Sequence, residues 1–150
     1  MSDPGRRLTW KTLAKSAPQA ARILIVEDTE GVRKSLERLV RSLGYEVRSA
    51  KSAEEADHWL SAERFDVMLL DIELPRMKGT EFLSWALDRD GEMAVIMLTG
   101  LDDPKLAIEC IQGGARSYLV KPVEADFLRL ELSDALAMRS LLVERNRAEP

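Results

Sequence analysis

Short unbroken apolar runs recur along this chain, and between them apolar residues return at helical spacing. Ile23-Leu24-Ile25-Val26 is continuous and mostly β-branched, as befits a strand buried on both faces. Val32, Leu36, Leu39, Val40 and Leu43 then repeat at the period of an amphipathic helix, which Gly44 stops. Residues 45–50 alternate and predict a second strand nearer a sheet edge. Ser52 is placed to cap a helix from Ala53 to about Ala62 that buries Ala53, Ala56, Trp59 and Leu60. Residues 66–70 predict a third strand, which runs into Asp71. Residues 79–88 form a helical pattern with Phe82, Leu83, Ala86 and Leu87 inward. Residues 94–98 are a fourth apolar run, ending at Thr99-Gly100. Asp102 or Asp103 caps the next helix, with Pro104 in its first turn and Gly113-Gly114 at its end. Ser117-Tyr118-Leu119-Val120 is a fifth strand, followed by Lys121-Pro122. The last helix starts near Glu124 and meets no breaker before Pro150.

Strand and helix therefore alternate five times. Such an order implies an α/β fold: a five-stranded parallel sheet with helices on both faces, placed there by right-handed crossovers. Residues 1–20 read as an N-terminal extension bounded by Pro4-Gly5 and Ser16-Ala17-Pro18. Within it Trp10, Leu13, Ala14 and Ala17 fall at helical spacing. The domain occupies 21–136, and 137–150 is a C-terminal helical extension. There Leu128, Leu132, Ala135 and Leu142 form a rough heptad seam broken by Arg139, which predicts a projecting helix able to pair in a homodimer.

A length of 150 residues favours one domain, and 45% hydrophobic with 32% charged content is ordinary for a soluble globular protein. The net charge of −4 excludes a nucleic-acid-binding surface that dominates the chain. Residues 1–20 carry Arg6, Arg7, Lys11 and Lys15 against Asp3, a net +3 that leaves −7 for the rest. Cys110 is the single cysteine, so no internal disulfide can form, and it reads as a packed apolar group in a reducing compartment. The lone His58 cannot build a multi-histidine metal site. No apolar run approaches a membrane span and no apolar segment follows the basic N-terminus, so the expected location is the cytoplasm.

In open α/β sheets, sites form beyond the carboxyl ends of the strands. Here those ends are Glu27-Asp28, Asp71, Thr99 and Lys121. Crowded carboxylates repel and call for a cation. An all-oxygen donor set suits Mg²⁺, which keeps waters or takes phosphate oxygens. Lys121 suits a phosphoryl oxygen and Thr99 can donate to another, leaving Asp71 as a nucleophile. These residues point to phosphorylation of an aspartate, or to phosphate-ester chemistry near a metal.

Four motifs together carry a closer likeness. They are Ile23-Leu24-Ile25-Val26-Glu27-Asp28, Leu69-Leu70-Asp71-Ile72-Glu73-Leu74-Pro75 with Gly79, Leu98-Thr99-Gly100, and Gly114-Ala115-Arg116-Ser117-Tyr118-Leu119-Val120-Lys121-Pro122. In this order and spacing the chain resembles the receiver domain of bacterial two-component response regulators, over about residues 21–136. The resemblance implies a (βα)5 flavodoxin-like fold. It implies Asp71 as the phosphoacceptor, taking the group from a phosphohistidine of a sensor histidine kinase or phosphotransfer protein. Asp28, Asp71 and the backbone carbonyl of Glu73 would ligate Mg²⁺, with Glu27 acting indirectly, often through water. Thr99 and Lys121 would hold phosphoryl oxygens, Tyr118 would be the aromatic switch, and the Lys121–Pro122 peptide would be cis.

The likeness implies a signalling domain that assists only its own phosphorylation and dephosphorylation. Its output would be a downstream protein or an output domain outside this chain, with no DNA-binding or enzymatic output expected within it. The first helix, with Arg33, Lys34, Arg38 and Arg41 on its solvent face, would meet the kinase. Two other readings stay beside this one. One is a metal-dependent aspartyl-phosphate hydrolase, which usually carries a second Asp where Glu73 stands. The other is a receiver-like interaction module that ignores phosphate. The Glu73 side chain, two residues after the acceptor, is expected to modulate the lifetime of the acyl phosphate.

Overall fold

The computed structural model describes residues 20–148, so the helix expected around Trp10 lies outside the described residues. The strands are β1 (Arg22–Val26), β2 (Glu46–Ala50), β3 (Val67–Asp71), β4 (Ala94–Thr99) and β5 (Ser117–Val120). The helices are α1 (Glu30–Ser42), α2 (Ala53–Ala62), α3 (Gly79–Arg89), α4 (Pro104–Gln112) and α5 (Ala125–Ala148). The strands form one parallel sheet in the order β2-β1-β3-β4-β5, the flavodoxin-like order, with the alternating strand β2 at an edge.

Alternation along each strand divides the core into two layers. Leu24, Val26, Met68, Leu70, Val95 and Met97 face α2, α3 and α4, where they meet Ala56, Phe82, Leu83, Ala86 and Cys110. Ile23, Ile25, Val67, Leu69, Ile96 and Leu98 face the opposite way, against Leu36 and Val40 of α1 and Leu128, Leu132 and Ala135 of α5. All five residues of β3 are buried, so the strand is anchored from both sides up to its last residue, Asp71.

Local signals set the helix ends. The Ser52 hydroxyl accepts from Glu55 N at the start of α2. Asp103, rather than Asp102, caps α4 by accepting from Lys105 N, with Pro104 following. Gly44 takes φ of 96° just after α1, a left-handed conformation that glycine adopts without steric cost.

The last helix is as long as expected. It is unbroken for 24 residues, about 36 Å at 1.5 Å per residue, with no interruption at 136. Leu128, Leu132 and Ala135 are fully buried against their own sheet, each leucine contributing about 2 kcal/mol. Beyond them Arg139 continues the same stripe and pairs with Asp66 at 3.0 Å, beneath β3. Asn146 donates to Glu92 at 3.2 Å. Leu128, Leu132 and Ala135 of the heptad seam therefore serve the core of this molecule, while Leu142 at its end is exposed. A stripe of that period packs equally well on a helix or a sheet, and here the sheet is adjacent in the chain. The extension lies along the domain instead of projecting from it.

Candidate functional site

Strand order reverses between β1 and β3, and their carboxyl ends diverge to open a crevice. Glu27 follows β1 directly. Its N–H still bonds Ala50 O at 3.0 Å, which extends the ladder by one residue and holds Glu27 fully buried at the floor. Asp28, one residue on, is exposed. Asp71 ends β3 and is 1% exposed. Carboxylate oxygens of Glu27, Asp28 and Asp71 lie within 4.8 Å of one another.

Lys121 enters from the end of β5. Its Nζ stands 2.6 Å from Glu27 Oε1 and 3.5 Å from Asp71 Oδ1. The Lys121–Pro122 peptide is cis. Thr99 ends β4 and is fully buried, its hydroxyl accepting from Leu101 N at 3.1 Å. The Tyr118 hydroxyl donates to Leu101 O. Thr99 and Tyr118 are thus tied to opposite sides of one residue. The Glu73 side chain is exposed, and its N–H donates to Asp71 Oδ1 at 3.0 Å.

The loop after Asp71 is closed by a tight contact. Gly79 N donates to Ile72 O at 2.8 Å, and a Cβ on Gly79 would stand 2.3 Å from Asp71 O. Only glycine lets the start of α3 approach the acid-bearing strand end so closely.

Charge in this crevice is unevenly held. Burial, reinforced by a hydrogen bond with Glu27 and by Glu27's charge, raises the Asp71 carboxyl to about 7, against the Glu73 N–H and the Lys121 charge. Burial also works to raise Glu27, but its hydrogen bonds with Asp71 and Lys121, the Lys121 charge and the Thr29 N–H outweigh it, so Glu27 stays below the usual carboxylate range. Lys121 is held above its ordinary value: its contacts with Glu27 and Asp71 overcome the opposing effect of burial. The two buried acids are close enough that the ionisation of one opposes that of the other. Three oxygen donors of hard character, one of them open to solvent, fit a divalent cation such as Mg²⁺.

Several contacts escaped the sequence. Glu27 forms a direct ion pair with Lys121, a contact between the ends of β1 and β5 that the resemblance did not include. Leu101 joins Thr99 to Tyr118 through its backbone, which no side-chain pattern encodes. Arg33, expected on the solvent face, turns back instead, and its Nη1 donates to Glu27 O at 3.0 Å and Asp28 O at 3.3 Å. Lys34 and Arg41 do lie on that face, paired along α1 with Glu30 and Glu37. His58 is exposed on α2 and Cys110 is buried on the inner face of α4. Beside Lys121 an open groove of about 610 Å³ runs between α1 and the start of α5, lined by Val32, Leu36, Leu39, Pro122 and Val123 among others.

The sequence profile of the response regulator receiver domain matches residues 23–133, which include every strand end of this crevice. The chain belongs to the response regulator receiver domain family. Receivers of solved structure superpose closely. A receiver domain from Methanospirillum hungatei JF-1 is 33% identical with a TM-score of 0.77, covering 81% of this chain and 97% of that one. The receiver domain of an HD domain-containing protein from Pseudomonas fluorescens Pf-5 is 29% identical with a TM-score of 0.81, covering 86% and 96%. Among curated proteins, a cyclic di-GMP phosphodiesterase of Thermotoga maritima is 32% identical over 83% of this chain. The regulatory protein AtoC of Escherichia coli K12 is 32% identical over 82%. This receiver spans 33% and 27% of the lengths of those two proteins.

Proposed function

We propose that this receiver accepts a phosphoryl group on Asp71 from the phosphohistidine of a sensor histidine kinase or phosphotransfer protein, and that the acyl phosphate switches the Thr99–Leu101–Tyr118 region to control a partner or output domain. The supporting observation is the placement of Asp71: buried at a strand end, inside a carboxylate cluster able to hold Mg²⁺, and 3.5 Å from the Lys121 ammonium. In the transfer, an Asp71 oxygen forms the new O–P bond while the donor's P–N bond breaks. The imidazole nitrogen keeps the electron pair and takes up a proton. Bound Mg²⁺, held by Asp28, Asp71 and the Glu73 carbonyl with Glu27 nearby, would supply charge neutralisation on the phosphoryl oxygens. Lys121 exchanges part of its pairing with Glu27 and Asp71 for one phosphoryl oxygen. Thr99 gives up its bond from Leu101 N when its hydroxyl turns to another. That exchange frees the loop whose Leu101 carbonyl holds Tyr118. The test is incubation with a small phosphodonor, with and without Mg²⁺, followed by intact mass. A gain of one phosphoryl group only with Mg²⁺ is expected; no gain would refute the proposal.

Because metal and proton compete for Asp71, Mg²⁺ binding should release a proton near neutral pH and tighten from pH 6 to pH 8. Calorimetry in two buffers of different ionisation enthalpy measures that release, and an affinity independent of pH would contradict a raised Asp71 carboxyl.

The hydrolase reading is disfavoured by an exposed Glu at 73, where such hydrolases usually carry a second Asp; its N–H, at 3.0 Å, is the group that bonds Asp71. The same geometry bears on the acyl phosphate. Glu73 should repel or orient approaching water, so Glu73→Ala is expected to change the dephosphorylation half-life several-fold. An unchanged half-life would remove the side chain from the mechanism.

We place the phosphodonor on the groove beside Lys121, whose apolar lining between α1 and Pro122 suits a helical partner. A cytoplasmic location belongs to this proposal as well. The lone cysteine fits a reducing compartment, and among the described residues no helix is long and apolar enough to cross a membrane.

A further inference from the structure

Arg33 occupies a position that simple electrostatics does not favour. It lies in the first turns of α1, where a helix presents its positive end and prefers acids. A divalent cation at Asp28 would repel it as well. Yet its guanidinium reaches back past the helix start to donate to two successive carbonyls, Glu27 O at 3.0 Å and Asp28 O at 3.3 Å. These belong to the two residues that bring acids from β1 to the crevice. One other bond crosses the turn, from Thr29 N to Glu27 Oε2 at 3.3 Å, and it does not touch Asp28. Thr29 stands at the N-cap but makes no side-chain capping bond, and Asp28 is solvent-exposed. Glu27 is held from below by the ladder bond to Ala50 and from the side by Lys121. Asp28 has no comparable restraint on its side chain.

We infer that Arg33 is a positioning residue for the divalent-cation site, fixing the Glu27–Asp28 turn so that the exposed Asp28 carboxylate stays aimed at the crevice. It does this through a rigid fork of donors rather than through its charge. The inference rests on the Mg²⁺-dependent reading of the site. It differs from a charge effect in sign. Removing a cation beside a metal site should tighten metal binding, whereas removing a positioning clamp should loosen it.

The experiment is calorimetric titration of Mg²⁺ alone into the parent, Arg33→Met and Arg33→Gln, with thermal unfolding of each in chelator. Arg33→Met keeps the length and apolar stem without donors, and Arg33→Gln keeps one short amide donor without charge. The expected result is about tenfold weaker Mg²⁺ binding for Arg33→Met, the value of one charge-assisted hydrogen bond. Arg33→Gln should fall between it and the parent, with metal-free melting temperatures close together. Unchanged or tighter binding by Arg33→Met overturns the positioning role while leaving the function intact. If Arg33→Met lowers the metal-free melting temperature markedly, Arg33→Gln decides alone: weaker binding supports the role and equal or tighter binding overturns it. A parent that binds no Mg²⁺ would instead overturn the metal-dependent reading itself.

Discussion

Asp71→Asn is expected to abolish phosphoryl uptake from a small donor, leaving a chain that folds and is more stable than the parent without metal. The amide has the shape of the carboxyl group, and its oxygen can still accept from Glu73 N. What it lacks is a nucleophilic carboxylate, and no other group in the crevice replaces it. Thr99 is a neutral hydroxyl already held by Leu101 N, and the remaining acids are engaged: Glu27 with Lys121, Asp28 at the solvent edge. The gain in stability follows from the raised Asp71 carboxyl. Folding prefers its neutral form, so this preference favours the parent's fold at low pH and is lost as pH rises through about 7. The amide never has to ionise. Its advantage should be absent below pH 4 and reach about 1–3 kcal/mol by pH 8. Mass spectrometry after phosphodonor treatment, with urea unfolding in chelator at pH 5 and pH 8, measures both. Retained uptake would mean that the acceptor lies elsewhere.

Gly79→Ala should be strongly damaging, because among the described glycines its added Cβ makes the closest approach to backbone. The added Cβ would stand 2.3 Å from Asp71 O and 2.7 Å from Ile72 Cα, and both are backbone atoms in a strand end that cannot rotate away. Either α3 backs off or the Asp71 turn deforms. Overpacking of this kind costs about 1–3 kcal/mol or more. The same displacement should slow phosphoryl uptake by about a hundredfold, since reacting groups are sensitive to shifts of an ångström. Gly31→Ala is the control: nothing lies within 4 Å of its added Cβ, and α1 accepts alanine readily. Melting temperature and single-turnover phosphorylation should separate the two variants. A Gly79→Ala protein with parental stability would mean that the close approach is not what requires glycine there.

Most of the fold was legible in the chain because its signals are local. Unbroken, largely β-branched runs such as 23–26, repeated between helical patterns, fit strands covered on both faces. Ser52, Gly44 and Pro104 mark helix ends by their own conformational preferences. Once five strands are known to be parallel, their carboxyl ends share one rim, so Glu27, Asp28, Asp71, Thr99 and Lys121 could be collected without coordinates. The stripe on α5 was read at the right period, but its first three members, Leu128, Leu132 and Ala135, cover the sheet of their own chain. Periodicity reports which face of a helix is apolar and not what covers it; chain connectivity put the sheet there first.

Asp71 at the end of an apolar strand, with Gly79 eight residues on, follows from the sequence by itself. What only the tertiary structure decided is how that acid is held. The Lys121 ammonium lies nearer to Glu27 than to Asp71, Arg33 clasps the carbonyls of the opposite strand end, and Gly79 presses on the Asp71 backbone. Each of these contacts joins residues on different elements, through side-chain reach or backbone approach of a few ångströms. A linear pattern carries the period of an element and the chemistry of a residue. Distances between elements are set by how the whole core packs.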